Sequence, residues 1–315
     1  MSDFTPELVA GLSARPRAIA PKWFYDTTGS QLFESICQQP EYYPTRVELA
    51  LLDRHACEIA RHIGPDAEVV EFGAGAARKV RLLLDALQTP SRFVPVDISG
   101  EYLLGAVSML QAERPGLEVR PVIADFTHAV ELPLPRGRRV GFFPGSSIGN
   151  FEPSQAADLL QRFGTLLTGG WLIIGVDLVK DPGMLHAAYN DRAGVTAAFN
   201  LNLWARANRE AGADFALANW SHSAFYNAPH RRIEMHLVSR CAQRVTVAGQ
   251  AFEFAEGDSV HTENSYKYSV AGSQALAGAA GWEPRCVWTD RERRFSIHLL
   301  RHGGFGASAM RAPPS

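Results

Sequence analysis

The stretch Glu68–Lys79, reading EVVEFGAGAARK, carries the clearest chemistry in the chain. An apolar run closes on an acid, Glu71, turns through Gly73-x-Gly75, and enters a basic segment with helical character. Glycines let a backbone come close to a ligand where a Cβ would collide, and the helix that follows offers free N–H groups at its start. This is how a parallel α/β sheet begins when a nucleotide-like cofactor binds at the carboxyl edge of its first strand. A dinucleotide fingerprint needs G-x-G-x-x-G, and here Arg78 stands at the sixth position, so that pattern fails. There is no G-x-x-x-x-G-K-[ST] phosphate loop either.

The reading that survives is a cofactor without phosphate, S-adenosylmethionine, held by an E-x-G-x-G turn. Two later segments support it. FVPVDIS (Phe93–Ser99) reads as a second buried strand ending in Asp97, whose carboxylate can accept from both hydroxyls of a ribose. VRPVIADFT then places Asp125 and Phe126 after a third strand, an acid and an aromatic that suit the amine and face of adenine. Each acid taken singly is equally a helix cap or turn former. Acids at three successive strand ends favour the cofactor.

These residues need a scaffold. Strands are predicted at about 68–72, 92–96, 118–123, 139–143 and 171–178, with helices over Glu48–Ile63, Val80–Leu87, Gly100–Glu113 and Pro153–Leu167. Alternation of this kind implies an α/β fold with a doubly wound, mostly parallel sheet. It stops after Asp177. Residues 182–205 read as a helical stretch, and RRIEMHLVSR, QRVTVAG and QAFEFAEGDSV alternate as antiparallel strands do. The tail WEPRCVWTDRERRFSIHLLRH reads as a hairpin completing the edge of the first sheet. The expected layout is a cofactor domain at 45–180 and 268–315, and a second α+β substrate domain from 1–44 and 181–267. Both added segments would emerge near the carboxyl edge, placed to cover an acceptor. Residues 304–315 are expected to lack fixed structure.

Composition narrows the function classes. The 315 residues are 46% hydrophobic, enough for a large core, and the net charge of −2 with no long basic run gives nucleic acid no electrostatic foothold. Four widely spaced cysteines read as reduced thiols of a cytoplasmic protein. Ten histidines form no contiguous ligand spacing, so no metal is expected. The N-terminus has no apolar signal core and no stretch reaches membrane-spanning length, so no membrane partner is expected. With no heptad or interface stripe, a monomer is the default.

PKWFYDTTGSQLFESI, PEYYPTR, EFGAGAARK, PGSSIGNF, AYNDRAGVTAAFN and HTENSYKYS occur in that order. In these motifs, which run from about Pro21 to Arg301, the chain resembles the histidine-specific α-N-methyltransferases of ergothioneine biosynthesis, which make hercynine, the trimethylated betaine of L-histidine. The resemblance implies a cofactor site with Gly73 at the methionine part, Lys79 at its carboxylate, Asp97 on the ribose, and Asp125 and Phe126 at the adenine. It implies an acceptor site in which Asn150 binds the amino and carboxylate groups, Tyr189 the carboxylate, Tyr42 the α-amine and Tyr25 the imidazole surroundings. Glu263 and Ser265 would read the two imidazole nitrogens, with Tyr42 and Asn150 orienting the amine for transfer.

The last pair makes physical sense on its own terms. A neutral imidazole presents one N–H donor and one bare acceptor. A carboxylate and a hydroxyl two residues apart on an extended segment project to one face, where they can take both. From spacing alone the pair reads first as a polar turn after a strand, which the resemblance reverses, and Asn150 before FEP is equally a helix N-cap. The AARK of the cofactor turn departs from the acid or Ser/Thr commoner in the family's loop. Two alternatives stay open: an N-methyltransferase for another aromatic amino acid or amine, tryptophan-like, and a non-catalytic S-adenosylmethionine-binding regulator on the same scaffold.

Overall fold

The computed structural model describes residues 3–303, so the expectation for 304–315 lies outside the described residues. In chain order the helices are α1 (Phe4–Ser13), α2 (Thr27–Cys37), α3 (Tyr43–Ile63), α4 (Arg78–Ala86), α5 (Gly100–Glu113), α6 (Pro153–Leu166), α7 (Pro182–Tyr189), α8 (Val195–Glu210) and α9 (Val270–Ala279). The strands are β1 (Ala67–Phe72), β2 (Arg92–Asp97), β3 (Val122–Ile123), β4 (Arg138–Phe143), β5 (Trp171–Asp177), β6 (Trp220–Asn227), β7 (Arg232–Ser239), β8 (Gln243–Val247), β9 (Gln250–Phe254), β10 (Ser259–Tyr266), β11 (Trp282–Thr289) and β12 (Phe295–His302). They fall into two compact units, one made of the chain up to Tyr43 with Lys180–Tyr266, the other of Pro44–Val179 with the chain from Lys267 onward. No helix among the described residues is long and apolar enough to cross a membrane.

In the second of these units, β1 is buried along its whole length. Burial on both faces is the condition of a central parallel strand and explains its near-continuous apolar sequence. The sheet order is β11-β12-β5-β4-β1-β2-β3. β1 to β5 run parallel, while β12 lies antiparallel between β5 and β11. The chain turns outward in both directions from β1, whose neighbours are β2 and β4, and that reversal is where open α/β sheets bind ligands. Phe72 and Phe163 stack at 3.9 Å between ring centroids, with Phe143 edge-on to Phe163 at 5.2 Å, so the core is packed by aromatics directly beneath this edge. The fold class is the doubly wound α/β sheet read from the sequence.

In the other unit, β10-β7-β6 form an antiparallel sheet and β8-β9 a separate hairpin. The N-terminal arm joins it through backbone bonds, Ile19 N–H to the His261 carbonyl at 2.9 Å and His261 N–H to Arg17 at 3.0 Å. Helix α8 gathers the N-terminal elements: Phe199 packs on Phe24 at 4.6 Å, and the Asn202 amide donates to Asp26 at 2.9 Å.

Several elements differ from the sequence expectation. The third strand is only Val122–Ile123, with one isolated bridge from Phe93 to Val119. Pro121 lies between the two pairings and has no N–H to give the ladder. The helical stretch 182–205 is two helices, because Gly194 takes a left-handed φ of 72° and the Asp191 carboxylate accepts from Val195 N–H (2.8 Å) and Thr196 N–H (2.7 Å). Helix α3 begins at Tyr43, five residues before the expected Glu48. β6 and α9 were not anticipated: WSHSAFYN lacks alternation and VAGSQALAGA lacks an apolar stripe. Glu263 and Ser265 lie within β10 and not in a turn after it.

Candidate functional site

The glycine turn is held open by left-handed backbone. Gly73 has φ 73°, Gly75 φ 48° and Ala77 φ 51°, conformations that favour glycine at the first two. Gly73 N–H donates to the Val96 carbonyl at 2.8 Å, tying the turn to β2. A Cβ on Gly73 would sit 3.5 Å from the Phe126 ring, and one on Gly75 would meet only open space. Helix α4 then starts with no side-chain cap, leaving its first N–H groups available.

Asp97 braces this turn: its Oδ2 accepts from Gly75 N–H at 3.0 Å and its Oδ1 from Ser99 N–H at 2.8 Å. Burial raises its pKa, against which those N–H donors pull. Asp125 builds a local turn, accepting from Thr127 N–H (2.9 Å) and the Thr127 hydroxyl (2.5 Å), with His128 3.1 Å away. Phe126 stands edge-on to Phe72 and Phe143 at 6.3 and 5.6 Å. Lys79 pairs with Glu48 at 2.6 Å, a carboxylate on α3 that the sequence reading missed. Both Glu48 oxygens also lie 2.9 Å from Gly145 N–H, in the loop after β4. A second missed pair is Lys267–Asp177 at 3.0 Å, fully buried at the end of β5. Glu71 is buried with Oε2 lacking a hydrogen-bond partner, and burial pushes its pKa well above the usual carboxylate range despite nearby Lys79.

Asn150 ends a 3-10 helix, Ser147–Asn150, that follows β4. The cap of α6 is Glu152, with Pro153 in its first turn, so the alternative of Asn150 as that helix's N-cap is wrong. Gly73, Asp125 and Asn150 thus follow β1, β3 and β4, and Asp97 closes β2. Open space at Gly75, an adjacent aromatic and a strand-end carboxylate suit a nucleoside, and the absence of a third glycine suits one without pyrophosphate.

In the other unit the remaining predicted residues converge. Tyr42 and Tyr189 meet edge to face at 6.3 Å, and Phe33 joins Tyr42 (6.3 Å) to Tyr25 (5.7 Å). The Tyr189 hydroxyl donates to Ser265 Oγ at 2.6 Å. Burial lifts the Tyr42 hydroxyl well above the ordinary phenol range, and Tyr189, Tyr25 and Glu263 are among the neighbours that add to the effect.

A β-bulge aims the polar pair. His261 lies opposite His236, but the register then shifts, so that Glu263 lies opposite Met235 and Ser265 opposite Ile233. Without the bulge, Thr262 would pair with Met235, and Glu263 and Ser265 would share the face of His261. With it they join Met235 and Ile233, which are almost completely buried. His236 and His261, with rings 4.9 Å apart, stay on the other face beside Glu234. These three side chains form a compact group that the sequence spacing did not reveal. Burial disfavours the Glu234 carboxylate, but bonds from Arg232 (2.7 Å), Asn227 (2.8 Å) and His236 (3.2 Å) outweigh it and bring its pKa to about 2. Both its oxygens are therefore already engaged.

A family model described as "Histidine-specific methyltransferase, SAM-dependent" matches residues 4–302. The chain belongs to this family. Among curated members, the histidine N-alpha-methyltransferase of Mycolicibacterium smegmatis is 43% identical, with 92% of each chain covered. That of Mycobacterium tuberculosis is 40% identical over 93% of each. Ergothioneine biosynthesis protein 1 of Neurospora crassa is 31% identical over 90% of this chain and 33% of its own length. As a histidine-specific methyltransferase family member, the protein is a transferase that uses S-adenosylmethionine on a small-molecule acceptor.

Proposed function

We propose that the protein methylates the α-amino group of L-histidine three times, by way of the mono- and dimethyl forms, to give hercynine for ergothioneine biosynthesis. The observation that carries this is the buried trio Tyr189, Ser265 and Glu263, with Tyr42 against Tyr189. Glu263 accepts from one imidazole nitrogen and Ser265 donates to the other, fixing ring and tautomer together. A pocket that pairs both nitrogens rejects analogues lacking them, because its own polar groups are then left unpaired.

Tyr189 is assigned to the carboxylate, Asn150 to the amino and carboxylate groups, Tyr42 to the α-amine and Tyr25 to the ring's surroundings. On the donor side, Gly73 lies at the methionine part, Lys79 at its carboxylate, Asp97 at the ribose, and Asp125 and Phe126 at the adenine. Bound S-adenosylmethionine supplies a methyl already activated on sulfur, which passes to an unprotonated amine as the sulfur–carbon bond breaks and its electron pair returns to sulfur. The residues' share is to orient the nitrogen lone pair and exclude water. Because burial keeps the Tyr42 hydroxyl protonated, it serves as a hydrogen-bond partner, and the amine's proton leaves to water. As methyl groups accumulate, the ring of Tyr42 faces a growing cation, an attraction of order 0.5–2 kcal/mol.

The test is mass spectrometry of products from the purified protein with S-adenosylmethionine and either histidine or tryptophan. A histidine product carrying three added methyl groups is expected. Methylated tryptophan in its place would transfer the reading to another aromatic amino acid, and no product with cofactor bound would point to a regulator.

A further inference from the structure

A chain of buried and half-buried hydrogen bonds runs behind the acceptor residues and touches none of the groups assigned to substrate by side chain. Thr262, the extra residue of the bulge, places its hydroxyl 2.9 Å from Asn200 Oδ1 and 3.1 Å from the Met235 carbonyl. Asn200 sits on α8, fully buried, and Thr262 is 1% exposed. The Asn200 amide nitrogen lies 2.9 Å from His222 Nδ1 and 3.0 Å from the His236 carbonyl. His222, on β6, lies opposite Leu237 and so faces the same side as Met235, Ile233, Glu263 and Ser265. Its Nε2 is 2.9 Å from the carbonyl of Tyr189, whose hydroxyl reaches Ser265.

The donors and acceptors in this chain fix the His222 tautomer and the orientation of the Asn200 amide. A carbonyl can only accept, so His222 Nε2 carries the hydrogen and Nδ1 of the neutral ring is bare. The His236 carbonyl likewise requires the amide nitrogen of Asn200, which fixes the amide orientation and turns Oδ1 toward Thr262. The Thr262 hydroxyl then donates, either to Asn200 or to Met235. Protonating His222 would set an Nδ1–H against the Asn200 NH2, and turning the amide over would strand the His236 carbonyl. Buried networks with every member satisfied specify one geometry and are costly to break in part.

We propose that Thr262, Asn200 and His222 are positioning residues for the acceptor site: they lock the bulge that aims Glu263 and Ser265 and tie it to the backbone of Tyr189. The chain thus holds the two ends of one substrate, its ring and its carboxylate, at a fixed separation. This rests on the histidine-methyltransferase reading for its substrate but not for its geometry.

Thr262→Val keeps volume and β-branching and removes the hydroxyl. A net hydrogen bond of about 1 kcal/mol corresponds to about a fivefold change. The expected result is a histidine Kd raised about fivefold or more, unchanged binding of S-adenosylhomocysteine as the check on folding, and recovery in Thr262→Ser. Equal histidine Kd in wild type and Thr262→Val overturns the proposal, as does a Thr262→Ser variant no better than valine. A second measurement needs no variant: nitrogen-15 NMR of histidine-labelled wild type should show His222 as the neutral Nε2–H tautomer at pH 7. The Nδ1–H tautomer or a protonated ring overturns the chain. If the wild type fails to bind histidine at all, the functional reading falls while the tautomer measurement still decides the geometry.

Discussion

Lys79 Nζ lies 2.6 Å from the carboxylate of Glu48, which also receives Gly145 N–H. The lysine assigned to the cofactor's carboxylate is therefore poised by an acid from α3, and that acid links α3, α4 and the loop after β4. Removing one member of a buried ion pair costs about 3–5 kcal/mol, much of it from stranding the other. Glu48→Ala is expected to lower thermal stability and weaken S-adenosylhomocysteine binding together, with Glu48→Gln intermediate in both. Differential scanning calorimetry with and without ligand measures each effect.

Glu263→Ala removes the carboxylate assigned to an imidazole N–H. A hydrogen bond to a charged group contributes about 1.5–3 kcal/mol, so histidine affinity should fall roughly 10- to 150-fold. Binding of S-adenosylhomocysteine should be unchanged. Calorimetric titration reads both, and equal histidine affinity in variant and wild type would remove Glu263 from the imidazole site.

Tyr42→Phe tests the orienting of the amine. The ring remains to pack against Tyr189 and Phe33, while the hydroxyl is lost. The expected outcome is slower methyl transfer with near-normal stability. Time-resolved mass spectrometry of the mono-, di- and trimethyl products follows each step, and three unchanged rates would exclude the role.

The buried histidines make stability depend on pH. Burial pushes the His298 pKa from 6.5 down to about 4, and it lowers His222 and His261 in the same direction. As pH falls below about 6.5 the unfolded chain binds protons that the folded one refuses, so stability declines until the folded values are reached. For His298 alone this amounts to roughly 3 kcal/mol between pH 6.5 and 4. Urea unfolding at pH 7, 6 and 5 should show the decline, with a shallower slope in His298→Gln.

The cofactor edge was legible because its signals are local. An apolar run, two glycines and strand-end acids are contiguous, and β1, β2 and β4 formed within a residue or two of their expected places. The acceptor residues were legible only through long motifs matching a family, since Tyr25 and Tyr42 look individually like ordinary half-buried aromatics. What escaped was tertiary. Glu48 and the Lys267–Asp177 pair have no pattern of their own in sequence, because their partners are set by packing between distant segments. The bulge at Thr262 escaped because register is a relation between two strands. Pro121 was visible, yet its effect on β3 depends on which ladder bond it withholds.

The extra residue at Thr262 makes substrate choice a matter of counting as well as of chemistry. Pair Thr262 regularly opposite Met235, and a strand of unchanged composition would present Thr262 and Asn264 where it now presents carboxylate and hydroxyl. Homologues that keep a Glu-x-Ser sequence but lose that one-residue offset would carry the right letters on the wrong side of the sheet. Inheritance of this specificity is therefore to be judged by strand register as much as by residue identity.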